Sequence, residues 1–356
     1  MSNLSRLRAE MESRGIAAFF VSDIESVGWL TGFTGSSAYV IVTATDGRFI
    51  SDSRYTIQAA EQVKELPTFT SDSKVDRLTF LATNIQELGI TKLWFDGSKL
   101  TFEQYGKLSS KLGGVELVSA GDPIAPLRLI KSAAEIEKIR AACQLADACI
   151  QHAVRMIQPG VSEWDLGLEV EFFYRKQGAE LAFEPIVVSG NNSARPHGRA
   201  SHKLLENGDF LTIDCGAKLD GYCSDITRSF VVGKASDRHK EIYNQVLKSQ
   251  LAAIEAIKPG AIGREVDKVS RDVLEEKKLA EYFGHGLGHG LGQLVHDGGS
   301  LSPSSDIVLA EGQIWTVEPG VYIEGFGGVR IEDDVVVTAN GCEVLTHFPK
   351  ELMELP

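Results

Sequence analysis

The first third of the chain alternates short apolar runs with segments of helical periodicity. This pattern is typical of an α/β domain, in which helices cover buried strands. Strands are predicted at residues 17–21, 39–42, 48–50 and 92–95. Helices are predicted at residues 4–11, 53–65 and 76–88. Asp46-Gly47 predicts a hairpin turn between the second and third strands. We expect residues 1–125 to form a small α/β domain without catalytic residues, because they contain no cluster of histidines, cysteines or paired carboxylates.

The pattern changes at a proline-containing segment, residues 122–126, which predicts a linker. Ser132 and Glu135 then have the spacing of a capping box, in which two side chains satisfy free backbone N–H groups at a helix start. The long helix that follows carries an apolar stripe, which predicts a side that faces the core. The stripe consists of Ile136, Ile139, Ala142, Cys143, Ala146 and Ile150. A second domain is therefore predicted at residues 130–356.

The second domain contains a diverged internal repeat. A long helix ends at Gln158-Pro159-Gly160, and a second helix is predicted at residues 163–177. Later, a long helix ends at Lys258-Pro259-Gly260, and another is predicted at residues 264–278. Each unit continues into strands and a hairpin with acidic residues. We expect the two units to pack about a pseudo-twofold axis that brings the acidic hairpins together.

Each acidic hairpin carries two carboxylates. In the first, Asp214 faces Asp225 if the turn is centred on residues 219–220. In the second, Glu318 faces Glu332. Like charges opposed across a hairpin destabilise it, and a divalent cation between them would remove that penalty. Two such pairs in matching places of a repeat indicate a metal site rather than two solvated surfaces.

A glycine-rich stretch, residues 284–292, supplies nitrogen ligands beside these carboxylates. Glycines allow the backbone to approach a site closely. Four carboxylates and the imidazole of His289 suit two divalent cations such as manganese, cobalt or zinc, and oxygen-rich ligation favours Mn²⁺. Two-metal sites hold their ions about 3.5–4 Å apart and activate a bridging water. Hydrolysis is therefore the predicted class of reaction.

Other interpretations of these residues fit less well. The glycine-rich stretch lacks the lysine and hydroxyl pattern of a phosphate-binding loop. The cysteines do not have the spacing of a zinc finger. Cys223 is predicted on the same strand face as Asp225, which makes its thiol an alternative metal ligand. His197 is a lone histidine in a loop, and a residue of this kind is expected at the surface unless another observation assigns it a role.

The overall charge excludes several classes of partner. A formal net charge of −13 argues against nucleic acid and anionic membrane surfaces, because both require a basic surface. The chain has no apolar run long enough for a transmembrane helix, and its polar start does not resemble a signal peptide. Its five cysteines have no disulfide-framework spacing and are expected to be reduced thiols. We expect a cytoplasmic protein.

Five motifs in the second domain match a known family in order and spacing. They are Ile213-Asp214-Cys215-Gly216, Ser224-Asp225-Ile226-Thr227-Arg228, Gly288-His289-Gly290, Glu318-Pro319-Gly320 and Arg330-Ile331-Glu332-Asp333. With these motifs, residues from about 130 to 350 resemble the metal-dependent Xaa-Pro peptidases, namely Xaa-Pro aminopeptidase and prolidase. Residues 1–125 resemble the family's N-terminal domain more loosely. The resemblance implies an α/β (α+β) chain, with a small creatinase-like N-terminal domain and a pita-bread catalytic domain, and it suggests a homodimer.

The resemblance also implies roles for the metal-binding residues. Asp214 would bind one metal ion, Asp225 and Glu332 would bridge both ions, and His289 and Glu318 would bind the second. Glu318 would in addition accept a proton from the bridging water and later donate it.

Three more histidines receive roles from the same resemblance. His296 would contact the scissile carbonyl and help to stabilise the developing oxyanion. His197 matches the family's Pro-His-Gly histidine and would hold the substrate near its prolyl residue. His285, together with Arg330, would orient the metal ligands.

The resemblance leaves the length of the substrate open. Many prolidases, which prefer Xaa-Pro dipeptides, carry an arginine for the free carboxylate in the loop after the Val-His segment. Here that loop, residues 297–303, contains no arginine, and Asp297 stands where many dipeptidases have glutamate. We therefore expect an Xaa-Pro aminopeptidase that acts on proline-containing peptides, with a strict Xaa-Pro dipeptidase as the alternative. A non-catalytic binding module is disfavoured because all five ligand positions are intact. The additional N-terminal domain argues against a methionine aminopeptidase.

Overall fold

The computed structural model describes all 356 residues, and the chain divides into two compact units. Unit 1 is Met1–Arg128 and unit 2 is Leu129–Pro356. The segment predicted as a linker, residues 122–126, runs into a short helix with Pro126 in its first turn. Proline is tolerated there because the first N–H groups of a helix have no partner within the helix. No helix in the structure is both long and apolar enough to cross a membrane.

Unit 1 is built on a six-stranded mixed sheet with helices packed on it. Its strands are β1 (Ala18–Val21), β2 (Tyr39–Thr43), β3 (Gly47–Asp52), β4 (Thr68–Ser71), β5 (Lys92–Phe95) and β6 (Glu116–Ser119). Its helices are α1 (Asn3–Ser13), α2 (Ile24–Thr31), α3 (Thr56–Gln62), α4 (Arg77–Glu87), α5 (Phe102–Lys111) and α6 (Ala125–Leu129). A short 3-10 helix, Ser53–Tyr55, precedes α3.

The strand order in this sheet is β4-β3-β2-β1-β5-β6. The four predicted strands and the Asp46-Gly47 hairpin are confirmed. Along β1, Phe19 and Val21 belong to one apolar cluster and Phe20 belongs to another, because successive strand residues point to opposite sides of a sheet. Unit 1 therefore has an apolar core on each side of its sheet.

Unit 2 combines four longer helices with several small sheets. The helices are α7 (Ala133–Val154), α8 (Glu163–Lys176), α9 (Asp237–Ala256) and α10 (Gly263–Glu275). The first half contains strands β7 (Glu180–Leu181), β8 (Ile186–Ser189), β9 (Phe210–Cys215), β10 (Ala217–Leu219), β11 (Tyr222–Cys223) and β12 (Ile226–Val232). The second half contains β13 (Gly288–His289), β14 (Ser300–Leu301), β15 (Ile314–Val317), β16 (Gly320–Ile323), β17 (Gly327–Arg330), β18 (Asp333–Thr338), β19 (Gly341–Val344) and β20 (Glu354–Leu355). Short 3-10 helices lie at Gly190–Ala194 and Ala280–Tyr282.

The predicted start of α7 is confirmed in detail. Ser132 and Glu135 form the reciprocal capping box, with the Ser132 N–H donating to the Glu135 carboxylate over 2.8 Å. Most of the predicted apolar stripe is buried, whereas Ile136 at its start is half-buried. The buried side of α7 packs with α8 in an apolar cluster that also contains residues of β9 and β12.

The two halves of unit 2 repeat the same local structure. The Gly160 N–H donates to the Leu205 carbonyl over 3.0 Å, and the Gly260 N–H donates to the Leu309 carbonyl over 2.8 Å. Both glycines have positive φ, +90° and +84° respectively, which an L-residue rarely adopts. In each half this turn joins a long helix to a second helix and fixes the pair against the segment that leads to an acidic hairpin. These matching contacts support the internal repeat.

The predicted register of the second acidic hairpin is confirmed. Strands β15 and β18 pair Val317 with Asp333, and β16 and β17 pair Gly320 with Arg330. Both ladders have the same register. The short gap between them therefore places Glu318 opposite Glu332.

The predicted register of the first acidic hairpin is wrong. Asp214 pairs with Thr227 and not with Asp225. The turn consists of Asp220 and Gly221, both with positive φ, +49° and +81°. Two such residues form the compact hairpin turn that Asp-Gly favours, so the turn is centred one residue later than predicted. Asp214 and Asp225 are consequently diagonal neighbours rather than opposed residues.

One buried arginine ties the two acidic hairpins to the end of the chain. The Arg228 side chain is almost fully buried and its guanidinium lies 2.8 Å from the Asp333 carboxylate. It also donates to the backbone carbonyls of Glu332 and Phe348. Burial alone would raise the pKa of Asp333, but Arg228 and Lys350 outweigh burial and hold that pKa below its usual range. The carboxylate of Asp333 therefore stays ionised and anchors the segment next to Glu332.

We predict that Arg228→Ala strongly destabilises the protein. The substitution leaves the Asp333 carboxylate with fewer partners in a dry site, and breaking a buried pair in this way costs about 3–5 kcal/mol. Urea unfolding measures the loss. Arg155→Ala, at an exposed position, is the matched control and should change stability by less than about 0.5 kcal/mol. Equal losses in the two variants would contradict this account of Arg228.

Candidate active site

One cavity in unit 2 brings together all of the residues predicted for the site. Its volume is about 860 Å³, within the range of about 300–1,000 Å³ that is usual for small-molecule sites. Its lining includes the predicted metal ligands Asp214, Asp225, His289, Glu318 and Glu332. It also includes the predicted substrate-contacting and orienting residues His197, His285, His296 and Arg330.

The centre of the cavity has the geometry of a chelating site. One ligand atom from each of Asp225, His289 and Glu332 lies within 4.8 Å of the other two. His289 Nε2 is 3.7 Å from Asp225 Oδ2 and 3.6 Å from Glu318 Oε1. These separations are too long for direct hydrogen bonds. They leave room for a cation that all of these atoms contact.

The protonation of His289 can be deduced from its neighbours. Its Nδ1 lies 3.3 Å from the Gly290 carbonyl, which can only accept a hydrogen bond, so Nδ1 carries the proton. Burial lowers the pKa of His289 to about 4, and the positive charge of His296 contributes. The ring is therefore neutral near pH 7, and the Nε2 lone pair points towards the carboxylates as a metal ligand requires.

Burial and mutual repulsion raise the free energy of ionising the carboxylates in the cavity. Burial raises the pKa of Asp225 well above its usual range, and the charges of Glu332 and Asp214 raise it further. The pKa of Glu332 is raised in the same way by burial and by Glu318 and Asp214. Burial raises the pKa of Glu318 to about 8. Without a cation, ionising this group of side chains is costly.

The carboxylates also retain unused ligand atoms. Asp214 Oδ1 and Asp225 Oδ1 are buried and have no hydrogen-bond partner. Buried polar atoms in proteins almost always have partners, so two orphaned carboxylate oxygens in one cavity call for a ligand that can bind them. Divalent cations satisfy carboxylate oxygens and offset their charge. The residues present therefore fit the predicted metal ions.

Arg330 holds Asp214 and the second hairpin in place. Its Nη2 lies 2.5 Å from Asp214 Oδ2, so only the other oxygen of that carboxylate remains free. Its Nε donates to Thr227 Oγ1 over 3.0 Å. The Thr227 hydroxyl in turn donates to Glu332 Oε2 over 2.6 Å. One arginine and one threonine thus fix the orientation of one carboxylate from each hairpin.

A second network determines the role of His285. Its Nδ1 lies 2.8 Å from the Gly286 carbonyl and carries the proton, because a carbonyl can only accept. Burial lowers the pKa of His285 to about 4, so the ring is neutral and its Nε2 accepts from the Tyr322 hydroxyl over 2.9 Å. The Tyr322 oxygen in turn accepts from Arg330 Nη1 over 2.9 Å. Both ring nitrogens are occupied, and His285 therefore acts by positioning Tyr322 and Arg330.

His197 and His296 lie on the open side of the cavity. Both are exposed, in contrast to His289. The ring of His296 is 4.0 Å from that of His289, measured between centroids. Burial of part of the His296 ring lowers its pKa, and the charge of His197 lowers it further. The two imidazoles thus face the space between the carboxylates and solvent, where a substrate would enter.

The glycines on either side of His289 are required by close backbone contacts. A Cβ atom on Gly288 would collide with the Thr316 carbonyl, and one on Gly290 would collide with the Gly298 carbonyl. No side chain fits at either position. The sequence prediction that these glycines allow close approach is confirmed, and the predicted ligand His289 lies between two of them.

The sequence analysis did not identify Thr227 or Tyr322. Thr227 is two strand positions after Asp225, and Tyr322 is two after Gly320, so the two-residue periodicity of a strand was a signal for both.

The alternative ligand Cys223 is not part of the cavity lining. Its sulfur lies 3.5 Å from the Gln293 carbonyl, and burial raises the pKa of its thiol to about 12. Cys223 remains a protonated thiol that packs beside the site.

We predict that Asp225→Asn stabilises the metal-free protein. At pH 7 the wild-type fold must either keep this charge in the cluster or take up a proton, and both are costly because the folded pKa lies well above the unfolded one. The expected rise in melting temperature is about 2–4 °C for each kcal/mol recovered. Mn²⁺ should raise the melting temperature of the variant less than that of the wild type. Asp220→Asn, in an exposed turn, is the control, and a lower melting temperature for metal-free Asp225→Asn would contradict the prediction.

Comparison with known proteins identifies the family. Residues 137–339 match metallopeptidase family M24, and residues 3–130 match the creatinase/prolidase N-terminal domain. The chain is 36% identical to the Xaa-Pro dipeptidase of Pyrococcus furiosus, over 98% of this chain and 99% of that protein. The solved structure of an Xaa-Pro dipeptidase from Bacillus anthracis is 44% identical with a TM-score of 0.95, and covers 99% of both chains. The X-Pro aminopeptidase structure from Thermotoga maritima is 36% identical with a TM-score of 0.90, over 98% of this chain and 100% of that one. Since the matched domains and the cavity agree with the family resemblance of the sequence, the chain belongs to metallopeptidase family M24.

Proposed function

We propose that this metallopeptidase removes the N-terminal residue from peptides that have proline in the second position, as an Xaa-Pro aminopeptidase with two metal ions. The observation that carries the proposal is the convergence of four carboxylates and one neutral imidazole in a single cavity, with two buried carboxylate oxygens left unsatisfied. The names of the relatives support the proline specificity, since both the dipeptidases and the aminopeptidase among them are named for the Xaa-Pro bond.

The proposed metal ligands divide into two sets that share members. In this proposal Asp214 would hold one ion, His289 and Glu318 would hold the other, and Asp225 and Glu332 would be shared by both. When bound, the two ions supply a water-derived nucleophile at neutral pH and polarise the scissile carbonyl. Manganese is the proposed metal because oxygen ligands predominate, with cobalt and zinc as alternatives.

Glu318 is the proposed proton carrier. Its Oε1 accepts a hydrogen bond from the Thr316 hydroxyl over 3.3 Å, and that hydroxyl also accepts from the backbone N–H of His289 over 3.0 Å. Thr316 therefore joins the Glu318 carboxylate to the backbone of His289. In the proposed reaction the Glu318 carboxylate takes a proton from the attacking water and gives it to the prolyl nitrogen as the peptide bond breaks.

The two exposed histidines are the proposed substrate contacts. His296 stands beside His289, where its ring can donate a hydrogen bond to the oxygen that gains negative charge during attack. His197 belongs to the loop at the cavity opening, where it contacts the prolyl side of the substrate. His285 holds Tyr322 and Arg330 and does not contact the substrate in this proposal.

A strict Xaa-Pro dipeptidase is the second candidate, because relatives at 36% and 44% identity carry that name. The two activities use the same site and differ in what the cavity accepts beyond proline. A homodimer and a cytoplasmic location complete the proposal and are supported by the family resemblance.

Product analysis tests the proposal directly. We predict that the Mn²⁺-loaded protein converts Ala-Pro-Ala-Ala to free alanine and Pro-Ala-Ala, identified by mass, and leaves Ala-Ala-Ala-Ala intact. Glu318→Gln should lower kcat by at least about 10²-fold, because it removes a proton carrier. Glu324→Gln, at an exposed position of the same hairpin, is the matched control and should retain activity. Cleavage of both peptides at similar rates, or normal turnover by Glu318→Gln, would refute the proposal.

A further inference from the structure

One buried carboxylate of unit 2 lies outside the cavity and outside the set of proposed metal ligands. Glu163 is the first residue of α8, and its side chain is fully buried. It does not line the cavity. A buried carboxylate is destabilising unless hydrogen-bond donors or cations satisfy it. The donors around Glu163 therefore show which part of the protein it holds.

These donors lie at both ends of one loop, residues 190–200, which contains His197 and is called here the His197 loop. Glu163 Oε1 accepts from the Ser189 backbone N–H over 2.6 Å and from its hydroxyl over 2.9 Å. Oε2 accepts from the Ser201 backbone N–H over 3.1 Å and from its hydroxyl over 2.7 Å. The Asn192 side-chain amide donates to both oxygens over 3.2 Å. One carboxylate thus joins the beginning of the His197 loop to its end.

The middle of the His197 loop is held by the second acidic hairpin. The hydroxyl of Ser193 accepts from the Gly328 N–H over 2.8 Å. Arg330 Nη1 lies 3.3 Å from the carbonyl oxygen of Pro196, the residue before His197, and donates to it. The imidazole of His197 is exposed, so its position depends on the backbone of this loop. Glu163 on one side and the hairpin on the other together fix that backbone.

The internal repeat indicates that the fold does not require this carboxylate. The Glu163 N–H donates to the Lys203 carbonyl over 3.0 Å, and the Gly263 N–H donates to the Ile307 carbonyl over 2.8 Å. Glu163 and Gly263 are also the first residues of α8 and α10. Gly263 therefore has the place in the second half that Glu163 has in the first. Since the second half makes the same helix-to-loop contact with a glycine, the carboxylate is an addition to the half that carries His197.

We infer that Glu163 is a positioning residue for catalysis. Through Ser189, Asn192 and Ser201 it sets the backbone of the His197 loop, and thereby the place of the imidazole that meets the substrate. This inference rests on the proposed function, in which His197 contacts the prolyl side of the substrate. Glu163 itself touches neither the substrate nor the metal ligands.

Glu163→Gln tests the inference because it keeps the size of the side chain. Each oxygen of Glu163 faces a backbone N–H, and such a donor cannot turn away. An amide NH₂ in place of either oxygen would oppose a fixed donor and lose that hydrogen bond. For Mn²⁺-loaded protein and the peptide Ala-Pro-Ala-Ala, kcat/KM should fall about 10-fold to 10²-fold, because a small displacement of a positioned group costs up to about 10²-fold in rate.

A double-mutant cycle with His197→Ala separates positioning from a general loss of stability. Once residue 197 is alanine, Glu163→Gln should lower kcat/KM by less than about twofold, because the group through which it acts is already gone. Mn²⁺ should raise the melting temperature of Glu163→Gln as much as that of the wild type, since Glu163 makes no hydrogen bond to the proposed metal ligands. Asp165→Asn removes an exposed carboxylate from the same turn of α8 and should keep the wild-type kcat/KM.

Ser201→Ala provides a milder change in case Glu163→Gln does not fold. It removes one hydroxyl donor and leaves the carboxylate its other partners. Its kcat/KM should fall by about fivefold, as expected from one hydrogen bond, and this loss should also disappear in the His197→Ala background. Equal losses in the two backgrounds, or no loss from Glu163→Gln, would overturn the inference while Xaa-Pro cleavage by the wild type stands. A wild type that cleaves no Xaa-Pro peptide would refute both.

Discussion

Repulsion among buried carboxylates is the constraint on which the rest of unit 2 depends. Asp225, Glu332 and Glu318 lie in one cavity with raised pKa values, and two carboxylate oxygens there have no partner. Folding alone does not favour such an arrangement. The surrounding hydrogen bonds are directed at keeping these groups in position for cations that offset their charge.

The internal repeat brings the acidic groups together, and small differences between its halves give them distinct roles. In the second hairpin Glu318 and Glu332 are opposite each other. In the first, the residue opposite Asp214 is Thr227, whose hydroxyl donates to Glu332. Thr227 therefore has the place in the first hairpin that Glu332 has in the second, and its hydroxyl orients the Glu332 carboxylate. Arg228 and Arg330 each donate hydrogen bonds to the other hairpin, and the site is open towards His197 and His296.

Much of this site could be predicted from the sequence, because the patterns that specify it involve residues close to one another in the chain. The capping box at Ser132 and the register that places Glu318 opposite Glu332 depend only on neighbouring residues, and both are present in the structure. The error in the first hairpin came from the turn, since Asp220 and Gly221 both adopt positive φ and shift the pairing by two residues. The hydrogen bond between His285 and Tyr322 could not be predicted, because it joins segments that are distant in the chain.

The most direct test of the account is to locate the metal in crystals of the protein soaked in Mn²⁺, using anomalous scattering. The account predicts two peaks about 3.5–4 Å apart in the cavity, with the carboxylates of Asp225 and Glu332 in contact with both. A single peak, or none, at saturating Mn²⁺ would contradict the claim that these buried carboxylates exist to bind a pair of ions.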